Sequence, residues 1–198
     1  MSKAQFKSLS FKVSRCMEFA KSEKGVAMGG LYDSDDPTFY IKSLYGLLDT
    51  DDPKDAFVDK SILTAYGYVL PQKDFFYHAD PISQELGDIA EEICDTYGNI
   101  KKRLRTDYCL GDAIVISRIS VNKKFRNMGA ADILMRSLRE LASYIEPAAC
   151  GFYLMASPYE LFDSPEYESM QKRLIKFYER YGFKPVKRGS DVLWMPCE

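Results

Sequence analysis

Apolar and polar positions are most sharply patterned in the second half of the chain. Residues 112–121 are nearly all apolar through Ile116 and then alternate as Ser117-Arg118-Ile119-Ser120-Val121, which predicts a strand lying centrally in a sheet. Apolar residues at 130, 134, 138, 141 and 142 recur at helical spacing and predict an amphipathic helix over 130–142. Residues 151–156 read as another strand, 157–164 as a loop around Pro158 and Pro165, 166–180 as a helix stopped at Gly182, and 192–195 as a terminal strand. The first half is less legible. Residues 7–13 alternate with period two and predict a first strand, followed by a helix over 14–22. After Gly25, Gly29-Gly30 and the acidic turn ending at Pro37, a short helix over 39–48 is expected, closed by the acidic turn 49–53. Strands are expected at 56–58 and 62–70, the second rich in β-branched and aromatic residues and ended by Pro71. Leu86, Ile89, Ala90 and Ile93 set a helix within 81–97, with Gly98-Asn99 as its stop. No repeat, low-complexity tract or Pro/Ser-rich linker interrupts the chain.

Composition narrows this picture without redirecting it. The 198 residues fit one domain, and 46% hydrophobic with 28% charged residues is the balance of a chain that buries a core. Lys and Arg number 27 against 29 Asp and Glu, so general nucleic-acid coating is not expected; the one dense basic run, Lys101 to Arg105, reads as a solvated face. Five cysteines without CxxC spacing and a single histidine, His78, leave little material for a zinc framework or a His-containing triad, and no metal is expected. Cys109 and Cys150 read as small packed hydrophobes. With no apolar leader or run of about 18 apolar residues, a cytoplasmic, non-membrane protein is expected.

The chemistry concentrates where the strong strand meets the strong helix. A strand, a basic loop carrying Lys123, Lys124, Arg126 and Gly129, then a helix is an arrangement whose first-turn N–H groups and dipole bind an anion, a phosphate above all. The loop is neither G-x-G-x-x-G nor GxxxxGK[ST]. Arg126-Asn127-Met128-Gly129-Ala130-Ala131 matches the [RQ]-x-x-G-x-[GA] loop of the GNAT superfamily of acetyl-CoA-dependent N-acetyltransferases. The preceding Ile119-Ser120-Val121 reads like that family's L-x-V, and Phe177-Tyr178-Glu179-Arg180-Tyr181-Gly182-Phe183 is similar to its (F/L)-Y-E-x-x-G-F segment. The resemblance covers residues 113–195.

It implies an α/β (α+β) fold of GNAT type, with a mixed, mostly antiparallel central sheet splayed in the middle and flanked by helices. Residues 113–195 would form the cofactor-binding core, and residues 1–112 would add strands, helices and insertions that shape the acceptor site of one domain spanning 1–198. It further implies acetyl-CoA as co-substrate. Main-chain groups of Ile119 and Val121, flanking Ser120, would bond the pantetheine arm, N–H groups from Arg126 through Asn127, Met128, Gly129 and Ala130 to Ala131 would hold the pyrophosphate, and Gln171, at the position of a common Asn, would add a contact. Leu174 stands where that Asn's companion Ala is usual. Tyr178 would protonate the departing thiolate. A thiol pKa near 8.5 makes that demand modest for a tyrosine of about 10.

A base is less evident. Where some family members carry Glu or His, this strand has Val115 and Ser117, which leaves Asp112, Glu91 or Glu92 acting through water, or an amine that arrives neutral. The resulting reading is direct acetyl transfer to a primary amine in a ternary complex. The acceptor is a small molecule, a peptide or protein amine, or aminoacyl-tRNA, and a homodimer is compatible. The rival reading is a non-catalytic GNAT-fold module that binds CoA or a partner in a regulatory role; a nucleotide-binding protein using the same loop would lack base- and ribose-recognition signatures. Blander readings stand beside these. Tyr178 also belongs to an apolar stripe with Leu174, Phe177 and Tyr181, His78 reads as structural or exposed as readily as a substrate-site base, and the acidic turns 33–36 and 49–55 read as solvated loops.

Overall fold

The computed structural model describes residues 10–15, 37–44, 62–105 and 111–197. Within them one seven-stranded sheet runs β1 (Ser10–Arg15), β2 (Thr38–Leu44), β3 (Leu63–Leu70), β4 (Ala113–Val121), β5 (Gly151–Met155), β7 (Val192–Met195) and β6 (Lys184–Pro185) in spatial order. Every neighbouring pair is antiparallel except β4 with β5. The sheet is therefore mixed and mostly antiparallel, with its one parallel junction in the middle.

Helices cover both faces. On one side α3 (Ala130–Ile145) buries Leu134, Leu138, Leu141, Ala142 and Ile145 against Ile114 and Ile116 of β4, Phe152 and Leu154 of β5, and Phe39 and Ile41 of β2. Leu134 and Leu138 are fully buried, which at about 1.5–3 kcal/mol each makes this stripe the main hold on the helix. α4 (Tyr167–Glu179) lays Leu174, Ile175, Phe177 and Tyr178 against the same cluster. On the opposite face α1 (Phe75–Ala79) and α2 (Gln84–Ile93) pack Phe75, Leu86, Ile89, Ala90 and Ile93 onto Val115, Tyr153 and Val192. The start of α2 is fixed by Ser83, whose hydroxyl accepts from the Leu86 N–H at 3.3 Å.

Several expectations change here. Residues 39–44 form a strand rather than the start of a helix: Phe39, Ile41 and Ser43 are buried while Tyr40 is exposed, a period of two satisfied by pairing with β1 and β3 on both sides. α1 and β6 had no counterpart in the sequence reading, and the helix within 81–97 occupies only Gln84–Ile93. Residues 14 and 15 belong to β1, and the rest of the helix expected over 14–22 lies outside the described residues, as do the strand at 56–58, the acidic turns 33–36 and 49–55, and Cys109. The basic run 101–105 is more than a solvated face. Leu104 is buried, Lys101 Nζ donates to the Glu92 carbonyl at 2.7 Å, and an Arg103 guanidinium nitrogen donates to the Val186 carbonyl at 3.3 Å, so the run staples the α2–β4 connection to its neighbours.

Candidate active site

The middle of the sheet opens because β4 outlasts its parallel partner. β5 pairs with β4 only from Ala113 opposite Gly151 to Ile116 opposite Leu154, whereas β3 pairs with β4 as far as Val121. The opening begins at a β-bulge: Gly67 faces Ile116 and Tyr66 faces Arg118, which leaves Ser117 as the extra residue. Beyond it, Asn122 N–H donates to the Ile62 carbonyl at 2.9 Å, so by the alternation of an antiparallel ladder Ser120 and Arg118 turn their main-chain groups toward β3, and Ile119 and Val121 turn theirs toward the gap. The Val121 carbonyl is indeed met from that side, by Arg126 Nε at 3.2 Å.

The gap runs into the N-terminus of α3. Asn122 caps a short 3-10 turn, Lys123–Phe125, by accepting from the Lys124 N–H at 3.1 Å. Asn127 and Gly129 then take the left-handed conformation, at φ 62° and 86°. Gly129 is the N-cap and offers no side chain to the helix's free N–H groups, and a Cβ built on it would meet nothing within 4 Å, so space lies open beside those donors. Lys123 and Lys124 are exposed beside it. Arg126 spans the mouth of the gap and pairs with Glu160 through two bonds of 2.6 and 3.0 Å. That pairing holds the Glu160 carboxyl below the usual carboxylate range.

Tyr178 stands on the α3 side, half-buried beside Phe177 and Phe183 at 5.4 and 5.8 Å between ring centroids. Burial pushes its pKa up to about 12, and its hydroxyl has no hydrogen-bond partner among the described residues. Ile119, Val121, Phe125 and Ala131 rim the same apolar cluster. The two helices are tied by the Tyr181 hydroxyl, which donates to Asp132 in the first turn of α3. Gln171 is engaged elsewhere: its amide donates to Asp191 Oδ2 at 2.8 Å, just ahead of β7.

The acidic residues singled out from the sequence are spread away from the gap. Asp112 precedes β4 at the end opposite Val121, Glu91 is exposed on α2, and Glu92 is held by the Ser190 hydroxyl and by Lys187 Nζ at 3.2 Å. His78 is exposed on α1. A carboxylate that sequence reading passed over lies at the gap instead. Glu85, in the first turn of α2, accepts from the Ser117 hydroxyl at 2.9 Å with Oε2, while its Oε1 is buried and has no hydrogen-bond partner among the described residues. The Tyr159 hydroxyl is held well above its ordinary pKa by burial and then by its hydrogen bond to this carboxylate, and the Arg118 guanidinium lies 5.3 Å above the Tyr159 ring. The signal was present in the helix phase: Glu85, Ile89 and Ile93 recur at four-residue spacing, which sets a carboxylate in line with a buried stripe.

No group of three or more His, Cys, Asp or Glu among the described residues is placed to hold a metal ion, and no helix among them is long and apolar enough to cross a membrane. No family model matches the sequence, and no curated protein matches it. Among solved structures, the chain is similar to the crystal structure of Arabidopsis thaliana NAA60 in complex with a bisubstrate analogue, at 16% identity and a TM-score of 0.44 over 81% of this chain and 74% of that one. It is also similar to a tyrosine-to-phenylalanine mutant of KacT, at 14% identity and a TM-score of 0.39 over 81% of this chain and 70% of that one.

Proposed function

We propose that the chain is an N-acetyltransferase that moves the acetyl group of acetyl-CoA to a primary amine by direct attack in a ternary complex. The observation that carries this reading is the β4 edge, left without a strand partner on the β5 side beyond Ile116, leading through a short turn into an uncapped, glycine-initiated helix N-terminus. An extended pantetheine arm needs the former and a pyrophosphate the latter. In this reading Ile119 and Val121 bond the arm as an added strand would. The N–H groups from Arg126 to Ala131 take the phosphates, and Arg126 exchanges Glu160 and the Val121 carbonyl for the ligand. Gln171 contributes only if it leaves Asp191.

The chemistry then asks little of the side chains. The acceptor nitrogen bonds the acetyl carbon, the carbonyl electron pair moves to oxygen and is met by a main-chain N–H at the gap, and collapse breaks the carbon–sulfur bond. Tyr178, protonated throughout the neutral range and without a competing partner, gives its proton to the leaving sulfur. The chain is read as one cytoplasmic domain in which residues 113–195 hold the co-substrate and residues 1–112 shape the site for a small-molecule or peptide amine. One observation favours the rival, a CoA-binding module without catalysis: β4 itself carries Val115 and Ser117 where a base would stand.

Thermal denaturation with acetyl-CoA, CoA and ATP separates these readings. At about 1 mM ligand a micromolar site adds roughly 4 kcal/mol, so a clear rise in Tm with both CoA species is expected, and its absence sinks both. Release of free thiol in the presence of amines then selects the enzyme, and Tyr178→Phe is expected to slow that release by about 10²-fold or more while leaving the acetyl-CoA-induced Tm shift intact.

A further inference from the structure

We propose that Glu85 is the proton acceptor for the acceptor amine, an inference that rests on the acetyl-transfer reading and supplies the base which the β4 sequence lacks. The bulge decides the geometry. Val115 packs with α2 on one face and Ile116 with α3 on the other, and the extra residue then turns both Ser117 and Arg118 to the α2 face before Ile119 returns to the α3 side. Ser117 thus sits where the β4–β5 gap opens, with its hydroxyl on Glu85 Oε2 at 2.9 Å. Serine holds the carboxylate at the gap without consuming its second oxygen.

That second oxygen is the informative atom. A buried carboxylate oxygen without a donor is costly, and Oε1 is the one buried side-chain nitrogen or oxygen among the described residues that has no hydrogen-bond partner. An N–H donor arriving through the gap satisfies it, and an ammonium does so best. Tyr178 packs on the α3 side, so base and acid lie on opposite faces of the sheet: an amine entering from the α2 face meets Glu85, and the sulfur leaves toward Tyr178.

Protons and electrons balance. The ammonium gives one proton to Glu85 and becomes the nucleophile, and its electron pair forms the carbon–nitrogen bond. As the carbon–sulfur bond breaks, its pair leaves on sulfur and takes the Tyr178 proton; the proton shed by the new amide nitrogen returns Tyr178 to its neutral form, and Glu85 releases its proton to water. The groups facing Glu85 are Ser117 and Arg118 of β4 and Tyr159 after β5. Tyr66 of β3 acts on Tyr159 electrostatically, and Asp80 at the end of α1 lies against Gly87, two residues further along α2.

The test is steady-state thiol release from acetyl-CoA with spermidine, glycine and a peptide bearing a free N-terminus, measured from about pH 6 to 9.5 for wild type, Glu85→Gln and Glu85→Asp. Glu85→Gln keeps a hydrogen-bonding group against Ser117 but cannot take a proton. It is expected to lower kcat/KM near pH 7 by about 10²–10³-fold and to leave a residual rate that climbs with pH as the free amine deprotonates. Glu85→Asp should keep the wild-type pH profile at a reduced rate, and both variants should keep the acetyl-CoA-induced Tm shift. If Glu85→Gln turns over within threefold of wild type with an unchanged profile, or if both variants lose turnover and the Tm shift together, the base assignment is overturned. A wild type that binds acetyl-CoA yet releases no thiol with any amine overturns the transfer reaction itself, an outcome visible before any variant is made. Should Glu85→Gln not fold, the pH profile of Glu85→Asp still decides: a carboxylate base keeps it, and any other role for Glu85 shifts it to that of the free amine.

Discussion

Gly129 separates two demands that a single residue rarely meets together. Its φ of 86° is costly for any L side chain, and the space where a Cβ would stand is empty, so nothing but the backbone and the proposed phosphate constrains the position. Gly129→Ala is therefore expected to lower stability by about 1 kcal/mol through the backbone alone and to weaken acetyl-CoA binding as well, because the new methyl group occupies the space beside the α3 amides. Gly189 is the matched control, with φ of 80° and equally open surroundings but no helix N-terminus. Gly189→Ala should show the same loss of Tm and an unchanged acetyl-CoA shift. Equal shifts in the two variants would detach Gly129 from the ligand site.

At the scale of elements the bulge between β3 and β4 carries most of the design, and its partner is Gly67. A Cβ there would lie 1.9 Å from the Val115 carbonyl oxygen and 2.9 Å from the Phe39 ring. The oxygen belongs to a central strand and cannot withdraw, so Gly67→Ala should cost about 3 kcal/mol or more or abolish soluble folding, read by chemical denaturation against wild type. This feature also marks how far the sequence could be read. β4, α3, β5 and β7 were legible because each buries a face in register with its own period, and the turn that starts α3 was legible from Gly129 between a strand and a helix. β2 was not, because Phe39-Tyr40-Ile41 on its own fits either period and only the two flanking strands decide between them. Glu85 was missed for a related reason. Its phase on α2 is visible, but that α2 packs where β4 bulges is a tertiary fact, fixed by Ser117 being an unpaired extra residue that no local pattern announces.

Among the described residues a response to alkaline pH is built into several tyrosine side chains and one buried thiol. Burial raises Tyr178 from its ordinary value of 10.0 to about 12, and burial with the neighbouring Asp95 raises Cys94 from 9.0 to about 12. Tyr153, Tyr159 and Tyr181 are raised as well, first by burial and then by Cys150, Glu85 and Asp132 respectively. Each of these groups binds its proton more tightly folded than unfolded. The stability they contribute is therefore fully present below the unfolded values, about pH 9 to 10, and is lost as the pH climbs toward 12. On the acid side Glu160 is lowered, but it is exposed on its pair with Arg126, and an exposed ion pair moves stability little. The protein is thus expected to lose Tm progressively above about pH 9. For Tyr178 alone, two pKa units of displacement contribute about 1 kcal/mol of that loss by pH 11. Tyr178→Phe, which has nothing to ionise, should show a correspondingly shallower fall between pH 9 and 11 than wild type in parallel denaturation curves. If the two curves descend together, the Tyr178 hydroxyl is hydrated rather than held in the apolar rim of the gap, and the proton it is proposed to give the departing sulfur would have to come from water.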